Sequence, residues 1–142
     1  MAKTVQRDDL VLPELSYRIL GAAFSVYNQL GWGHLEVIYQ RALAEEFKQK
    51  GIVFEREKRI PLLYGQNQIG EYILDFIVDG KIAVELKTRP RLGYTHIKQV
   101  AAYLKGTKLQ LAILIYFTKN GVVSRRVLPV SGTDLIRNSK NS

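Results

Sequence analysis

Apolar residues recur at steps of three and four in three segments of the chain, a spacing that predicts amphipathic helices. The first segment begins at Pro13, where proline fits because the first turn of a helix needs no backbone N–H, and it ends at Gly31. The second runs from about His34 to Lys50, and the third runs from Tyr94 to Leu104. Two helices therefore lead the domain, and a third stands in its second half.

Five further segments show the shorter period of β-strands or continuous apolar runs. They are Ile52–Tyr64, Gly70–Val78, Lys81–Thr88, Leu109–Phe117 and Val122–Val130. The first mixes β-branched residues with charges, as an edge strand does, whereas the fourth is almost wholly apolar and is expected inside the sheet, covered on both faces. The predicted fold is one α/β domain over residues 1–142, ordered ααβββαββ, with a mixed central sheet flanked by helices and flexible ends at 1–12 and 131–142.

Composition narrows the chemistry that such a domain can carry. The chain has no cysteine, which excludes disulfides, thiolate nucleophiles and cysteine-ligated metals. No apolar run approaches the roughly 18 residues of a membrane helix, and the start lacks a signal-type stretch, so we expect a cytoplasmic protein with no membrane partner. Lysines and arginines number 21 against 13 acids, a net charge of +8. This charge favours a polyanionic partner, although it also simply keeps a protein soluble.

Three charged residues interrupt the apolar strands in the middle of the chain. Asp75 stands between Leu74 and Phe76. In the next strand Glu85 and Lys87 are two residues apart and therefore share a face. If Asp75 lies beside them, two carboxylates and an ammonium converge, as metal-assisted phosphodiester hydrolysis requires. The alternative is a solvated Glu–Lys pair without function, but the Asp75 carboxylate still needs a partner that offsets its desolvation.

The connection between these two strands decides whether the carboxylates meet. A two-residue turn at Asp79-Gly80 would turn Asp75 to the face opposite Glu85. We therefore predict a longer connection, or a bulge, that shifts the pairing by one residue and brings Asp75 to the side of Glu85.

The spacing of these residues is that of a known motif. Asp75, followed after nine residues by Glu85-x-Lys87, resembles the core motif of the PD-(D/E)XK nuclease superfamily, with Leu74 at the position of the motif's proline. The resemblance implies a restriction-endonuclease-like core in which Asp75 and Glu85 bind Mg²⁺, for which Mn²⁺ can substitute. It also implies that the backbone carbonyl of Leu86 adds a ligand. Lys87 then orients or activates the attacking water, or stabilises the transition state.

A second signature lies upstream. Gly33, Glu36 and Tyr39 form the pattern Gly-x-x-Glu-x-x-Tyr, which resembles the signature of the GxxExxY family, a group classed in the same superfamily. The resemblance implies that Glu36 completes the metal shell and that Gln99, on the third helix, works near the substrate. From its position alone, Glu36 is equally well explained as an acidic residue favoured at the start of a helix.

Basic and polar residues after the motif are candidates for contact with nucleic acid. They are Arg89, Arg91, His96, Lys98 and Tyr103. Such charges can follow a phosphate backbone or can simply be solvated. The sequence predicts a Mg²⁺-dependent nuclease acting on DNA, with RNA as the other candidate, since a pure binder gains little from carboxylates that face phosphate. The alternative function is that of a catalytically inactive nuclease-fold module that binds nucleic acid or a protein. A second copy of the chain, in a homodimer, is a further candidate partner.

Overall fold

The structure, a computed structural model, describes residues 11–88 and 94–129. Its elements are α1 (Pro13–Leu30), α2 (Glu36–Gln49), β1 (Phe54–Tyr64), β2 (Asn67–Val78), β3 (Ile82–Lys87), α3 (Tyr94–Lys105), β4 (Leu111–Thr118) and β5 (Gly121–Val127). The predicted order ααβββαββ is confirmed, while the expected flexible ends fall almost entirely outside the described residues. None of the described helices is long and apolar enough to cross a membrane.

Several element boundaries differ from the predicted ones by a few residues, and two of these differences have local reasons. α2 begins at Glu36 because His34 belongs to the preceding connection, where its Nε2 lies 3.0 Å from the carbonyl oxygen of Leu30 at the end of α1. β2 begins at Asn67, earlier than predicted, since a left-handed Gly65 (φ 64°) completes a two-residue turn and lets β1 and β2 pair at once. The hairpin of β1 and β2 is therefore long.

The five strands form one mixed sheet in the order β1-β2-β3-β4-β5. Neighbouring strands are antiparallel except for β3 and β4, which run parallel and are connected through α3. The charged strand β1 lies at an edge, as its sequence predicts, because its mixed charges are compatible with solvent and discourage pairing with other chains.

Helices pack on both faces of the sheet. α1 and α2 cover one face in a core that the strands line with Phe76, Val84 and Ile113. α3 packs on the opposite face, in a second core that includes Ala83 and Leu114. β4 is buried through nearly its whole length, which confirms the prediction that its apolar run is covered on both sides.

The connection between β2 and β3 sets the register of the two charged segments. Residues 79–81 form the turn, so that Val78 pairs with Ile82. Continued along the strands, this register places Asp75 level with Glu85. The predicted longer connection, which shifts the pairing by one residue, is confirmed.

The hairpin of β1 and β2 changes faces at the level of Asp75. Phe76 lies in the core under α1 and α2, whereas Leu74, two residues earlier, lies in the core under α3. Strict alternation would keep both side chains on one face. In β1, the register places Glu57 opposite Asp75, and Glu57 takes a left-handed conformation with φ 53°. The hairpin therefore twists sharply beside this carboxylate.

Candidate active site

β2 and β3 separate just beyond the pair Phe76–Val84, after which β2 continues beside β1 and β3 continues beside β4. Backbone N–H groups at such a separation need other acceptors. The Asp75 N–H donates to Glu85 Oε1 at 2.8 Å, and the Leu86 N–H donates to Asp75 Oδ2 at 2.7 Å. Each of the two carboxylates thus fixes the backbone of the opposite strand.

The two remaining carboxylate oxygens accept hydrogen bonds from side chains. Gln40 Nε2 donates to Asp75 Oδ1 at 2.8 Å, and the Tyr72 hydroxyl donates to Glu85 Oε2 at 2.6 Å. Within the described part of the chain, each of the four oxygens therefore accepts one bond, while a carboxylate oxygen has two acceptor sites. Two adjacent carboxylates with acceptor capacity left are a donor set that suits a hard divalent cation such as Mg²⁺ or Mn²⁺.

Gln40 connects this pair of carboxylates to the edge of the sheet. It lies in α2 with only 6% of the residue exposed, and its Oε1 accepts a 2.7 Å hydrogen bond from Arg56 Nη2 on β1. Because the amide oxygen is held by a guanidinium, the amide NH₂ group must face Asp75. Arg56 therefore fixes the orientation of a group that touches the carboxylate.

Tyr72 connects Glu85 to α3, on the face of the sheet opposite α1 and α2. Its ring stacks on the ring of Tyr103 in α3, with centroids 3.8 Å apart and an interplanar angle of 20°. The stack fixes the direction of the hydroxyl that donates to Glu85. Burial, reinforced by the charge of Glu85, raises the pKa of Tyr72, so the hydroxyl keeps its proton.

Glu85 carries its carboxylate in a buried position, with 4% of the residue exposed. Burial, followed by the charge of Asp75, raises the pKa of Glu85 to about 7, against the opposing effects of the Tyr72 hydroxyl, the Asp75 N–H and the charge of Lys87. The doubly ionised pair is therefore unfavourable by itself, and a cation between the two carboxylates would relieve it.

Lys87 follows Glu85 on the same side of β3, half-buried at the end of the strand. Its charge reaches Glu85, whose pKa it lowers. Leu86, between them, turns its side chain fully into the core under α1 and α2, while its N–H faces Asp75. The structure thus brings together Asp75, Glu85, Leu86 and Lys87.

Glu36 occupies the first position of α2, half-buried, one helical turn before Gln40 and on the same face. Burial, together with the charge of Glu36, raises the pKa of Tyr116 on β4. Over residues 11–88 and 94–129, no three acidic or histidine side chains converge closely enough to hold a metal. Glu36 therefore lies on the same face of α2 as Gln40 without being gathered into one cluster with the two carboxylates.

The other sequence-predicted residues lie on or near α3. Arg89 and Arg91 lie outside the described residues, as do the side chains of His96 and Gln99. Lys98 is exposed. Tyr103 is half-buried, with one ring face against Tyr72.

Three contact residues escape sequence reasoning. Gln40 follows Glu36 by four residues and therefore lies on the same helix face. This spacing is a sequence signal that could have identified Gln40 as a site residue. Tyr72 precedes Asp75 by three residues, a spacing that alternation assigns to the other face. Arg56 is indistinguishable in sequence from its charged neighbours on an edge strand.

The chain matches a known protein family in sequence and solved structures in fold. The sequence pattern of the PD-(D/E)XK nuclease superfamily matches residues 13–127, whereas no curated protein matches the chain. The protein SSO0001 shares the fold with a TM-score of 0.51 and 18% identity, over 91% of this chain and 65% of that one. The chain thus spans slightly less than two thirds of SSO0001.

An alkaline exonuclease, LHK-Exo from Laribacter hongkongensis, also shares the fold. Its TM-score is 0.51 at 14% identity, over 99% of this chain and 77% of that one. At such identities the similarity shows the fold alone, but the matched sequence pattern contains all five strands and both paired carboxylates. The chain therefore belongs to the PD-(D/E)XK nuclease superfamily.

Proposed function

We propose that this protein is a divalent-metal-dependent nuclease that hydrolyses phosphodiester bonds in DNA, with RNA as the other candidate substrate. The observation that carries the proposal is the reciprocal pair of Asp75 and Glu85 at the point where β2 and β3 separate. Membership of a nuclease superfamily supports it. A buried carboxylate, Glu85, beside the half-buried carboxylate of Asp75 is costly without a cation, and such clusters mark functional sites.

Asp75 and Glu85 would hold the metal, because each carboxylate is already fixed in place by one backbone and one side-chain donor. A bound Mg²⁺ ion supplies Lewis-acid polarisation of the phosphodiester. Glu36 and the carbonyl oxygen of Leu86 are the further ligands that we propose, and Mn²⁺ has the same preference for oxygen. The contribution of Glu36 requires approach toward the pair, since the described residues form no cluster of three acids.

Lys87 is proposed to act on the phosphate. Lys87 lies on the side of β3 that carries Glu85, and the residue is half-buried, so its charge is screened less than that of a fully solvated lysine. A positive charge there stabilises the charge that develops on the phosphoryl oxygens and orients the attacking water. Gln99, which belongs to α3, is proposed to contact the substrate.

The surface charge agrees with a nucleic-acid substrate. The net charge of +8 attracts a polyanion, and Lys98 is an exposed cation on α3, the helix that also carries Tyr103. We propose that Arg89, Arg91, His96, Lys98 and Tyr103 contact the nucleic acid. Phosphate contacts of this kind position the nucleic-acid strand, whereas hydrolysis takes place at the carboxylate pair in this proposal.

The test is a cleavage assay with end-labelled single-stranded, duplex, flapped and branched DNA, and with RNA, in Mg²⁺, in Mn²⁺ and in EDTA. Wild type is expected to cleave at least one substrate in metal and none in EDTA. Asp75→Asn and Glu85→Gln, which keep the side-chain shape, should lower the rate at least about a hundredfold. Lys87→Met should lower the rate while Mn²⁺ affinity, measured by calorimetry, is retained.

Asp79→Asn is the matched control, because Asp79 is an exposed carboxylate in the turn that joins the same two strands. It should cleave like wild type. The proposal fails if no substrate is cleaved in either metal, or if Asp75→Asn and Asp79→Asn cleave equally well.

A further inference from the structure

Arg56 differs from the other cations of β1 in its surroundings. Arg59 pairs with Glu71, and Lys58 Nζ lies 3.0 Å from Glu55 Oε1. Among the residues that the structure describes, no acidic side chain forms a salt bridge with Arg56. Its hydrogen bond goes instead to the neutral amide of Gln40. The charge of Arg56 is therefore not compensated by a neighbour on its own strand.

The guanidinium is nevertheless held at a fixed distance from the carboxylate pair. Arg56 Nη2 bonds Gln40 Oε1 at 2.7 Å, and Gln40 Nε2 bonds Asp75 Oδ1 at 2.8 Å. With one amide group between the two bonds, the guanidinium nitrogen lies within about 8 Å of the Asp75 carboxylate. Gln40, the residue in the middle of this link, is buried.

Within the part of the chain that the structure describes, Arg56 also keeps most of its donors available. A guanidinium carries five N–H donors in a planar fork, and the contact with Gln40 uses one of them. The residue is exposed, so the others face solvent. A planar fork with uncompensated charge, held near the Asp75 carboxylate, matches the geometry of a phosphate oxygen pair.

We propose that Arg56 binds a phosphate of the nucleic-acid strand at the carboxylate pair, and that Gln40 ties this contact to the position of Asp75. The inference rests on the proposed nuclease function and adds to it a substrate contact on β1, on the side of the site away from α3. The strand would then be held from both sides, by Arg56 on the edge hairpin and by Lys98 on α3.

The experiment measures binding of fluorescent single-stranded and duplex DNA to Arg56→Gln, Arg56→Lys and wild type across a series of salt concentrations. Ca²⁺ replaces Mg²⁺, and a gel run afterwards shows that the DNA is intact. Loss of one phosphate contact reduces the log–log salt slope by about 0.9 for duplex and about 0.7 for single strands. Arg56→Gln should show this reduction, and Arg56→Lys should restore the slope while binding more weakly than wild type.

Arg59→Gln is the matched control, because it removes the same charge from the same strand at a position already paired with Glu71. Its slope should stay at the wild-type value. Thermal unfolding of each variant detects any loss of stability. If Arg56 has only a structural role, Arg56→Gln should lower the thermal midpoint and leave the salt slope of DNA binding unchanged. An unchanged slope for Arg56→Gln, or an equal reduction in Arg59→Gln, overturns the inference.

The two proposals fail separately. If wild type cleaves nucleic acid and Arg56→Gln binds with the wild-type slope, the nuclease function stands and the Arg56 contact is wrong. If wild type binds without cleaving and Arg56→Gln loses one contact, the Arg56 site stands and the nuclease function is wrong. A wild type that neither binds nor cleaves overturns both.

Discussion

Replacement of Glu85 by Gln should stabilise the metal-free protein at alkaline pH. It should also remove part of the pH dependence of the free energy of unfolding. The pKa of Glu85 rises from the ordinary value of 4.5 to about 7 on folding, because the carboxylate is buried beside Asp75. Between these values the folded protein binds more protons at this site than the unfolded chain does, so the free energy of unfolding falls as pH rises. The contribution is fully present below pH 4.5 and is lost by about pH 7.

The magnitude follows from the size of the shift. One pKa unit corresponds to about 1.4 kcal/mol, so the ionised Glu85 costs about 3 kcal/mol of stability at pH 8. Gln has no charge to desolvate, its oxygen can still accept the Asp75 N–H, and its NH₂ can donate to the Tyr72 oxygen, as a protonated Glu85 would. The free energy of unfolding of Glu85→Gln should therefore exceed that of wild type by up to about 3 kcal/mol at high pH and equal it at low pH.

Urea unfolding in EDTA, followed by circular dichroism between about pH 5 and about pH 8, measures this difference directly. The difference between the two proteins, rather than either curve alone, isolates Glu85 from other titrating groups. Asp79→Asn, an exposed carboxylate, should run parallel to wild type. Parallel curves for Glu85→Gln and wild type across the range would refute the reasoning. They would show that ionisation of the buried Glu85 does not lower the free energy of unfolding.

Three further outcomes follow from the same contacts. Asp75→Ala should lower the free energy of unfolding by about 1–3 kcal/mol in urea, since it leaves the buried Leu86 N–H without its acceptor, whereas Asp75→Asn should lose less. Tyr72→Phe keeps the ring but removes a hydrogen bond that lowers the pKa of Glu85, so the acidic limb of a kcat/KM profile should move to higher pH. Mg²⁺ or Mn²⁺ should raise the thermal midpoint more at pH 8 than at pH 6 in differential scanning calorimetry, because protons compete for Glu85, and EDTA should reverse the rise.

Local patterns were sufficient to predict the elements and the position of the acid pair. The periodicity of apolar residues predicted three helices and five strands in the right order, because each element buries a face of its own. The requirement that Asp75 meet Glu85 predicted the one-residue shift in the turn at 79–81. Both inferences depend on neighbours in sequence, for which side-chain direction follows from the strand period.

The groups that surround the acid pair could not be predicted in the same way. Gln40 reaches Asp75 across 35 positions of the chain, and Arg56 reaches Gln40 from an edge strand, so neither contact leaves a periodic trace. Tyr72 and Asp75 reach their contacts at a place where the hairpin abandons strict alternation, beside the left-handed Glu57. Contacts of this kind depend on how layers pack and on local twist, which a single sequence does not encode in any short window.

The burial of β4 on both faces has a consequence for how the chain folds. Its eight residues, Leu111–Thr118, are uncharged and mostly β-branched or aromatic, the composition from which stacked intermolecular sheets form when such a segment is exposed. Its partner β5 follows after a two-residue turn, but β3 must arrive from across α3, a slower non-local pairing. Until β3 docks, one edge of this segment is open to other chains, and Lys108 and Lys119, just outside its two ends, are the charges that oppose such association.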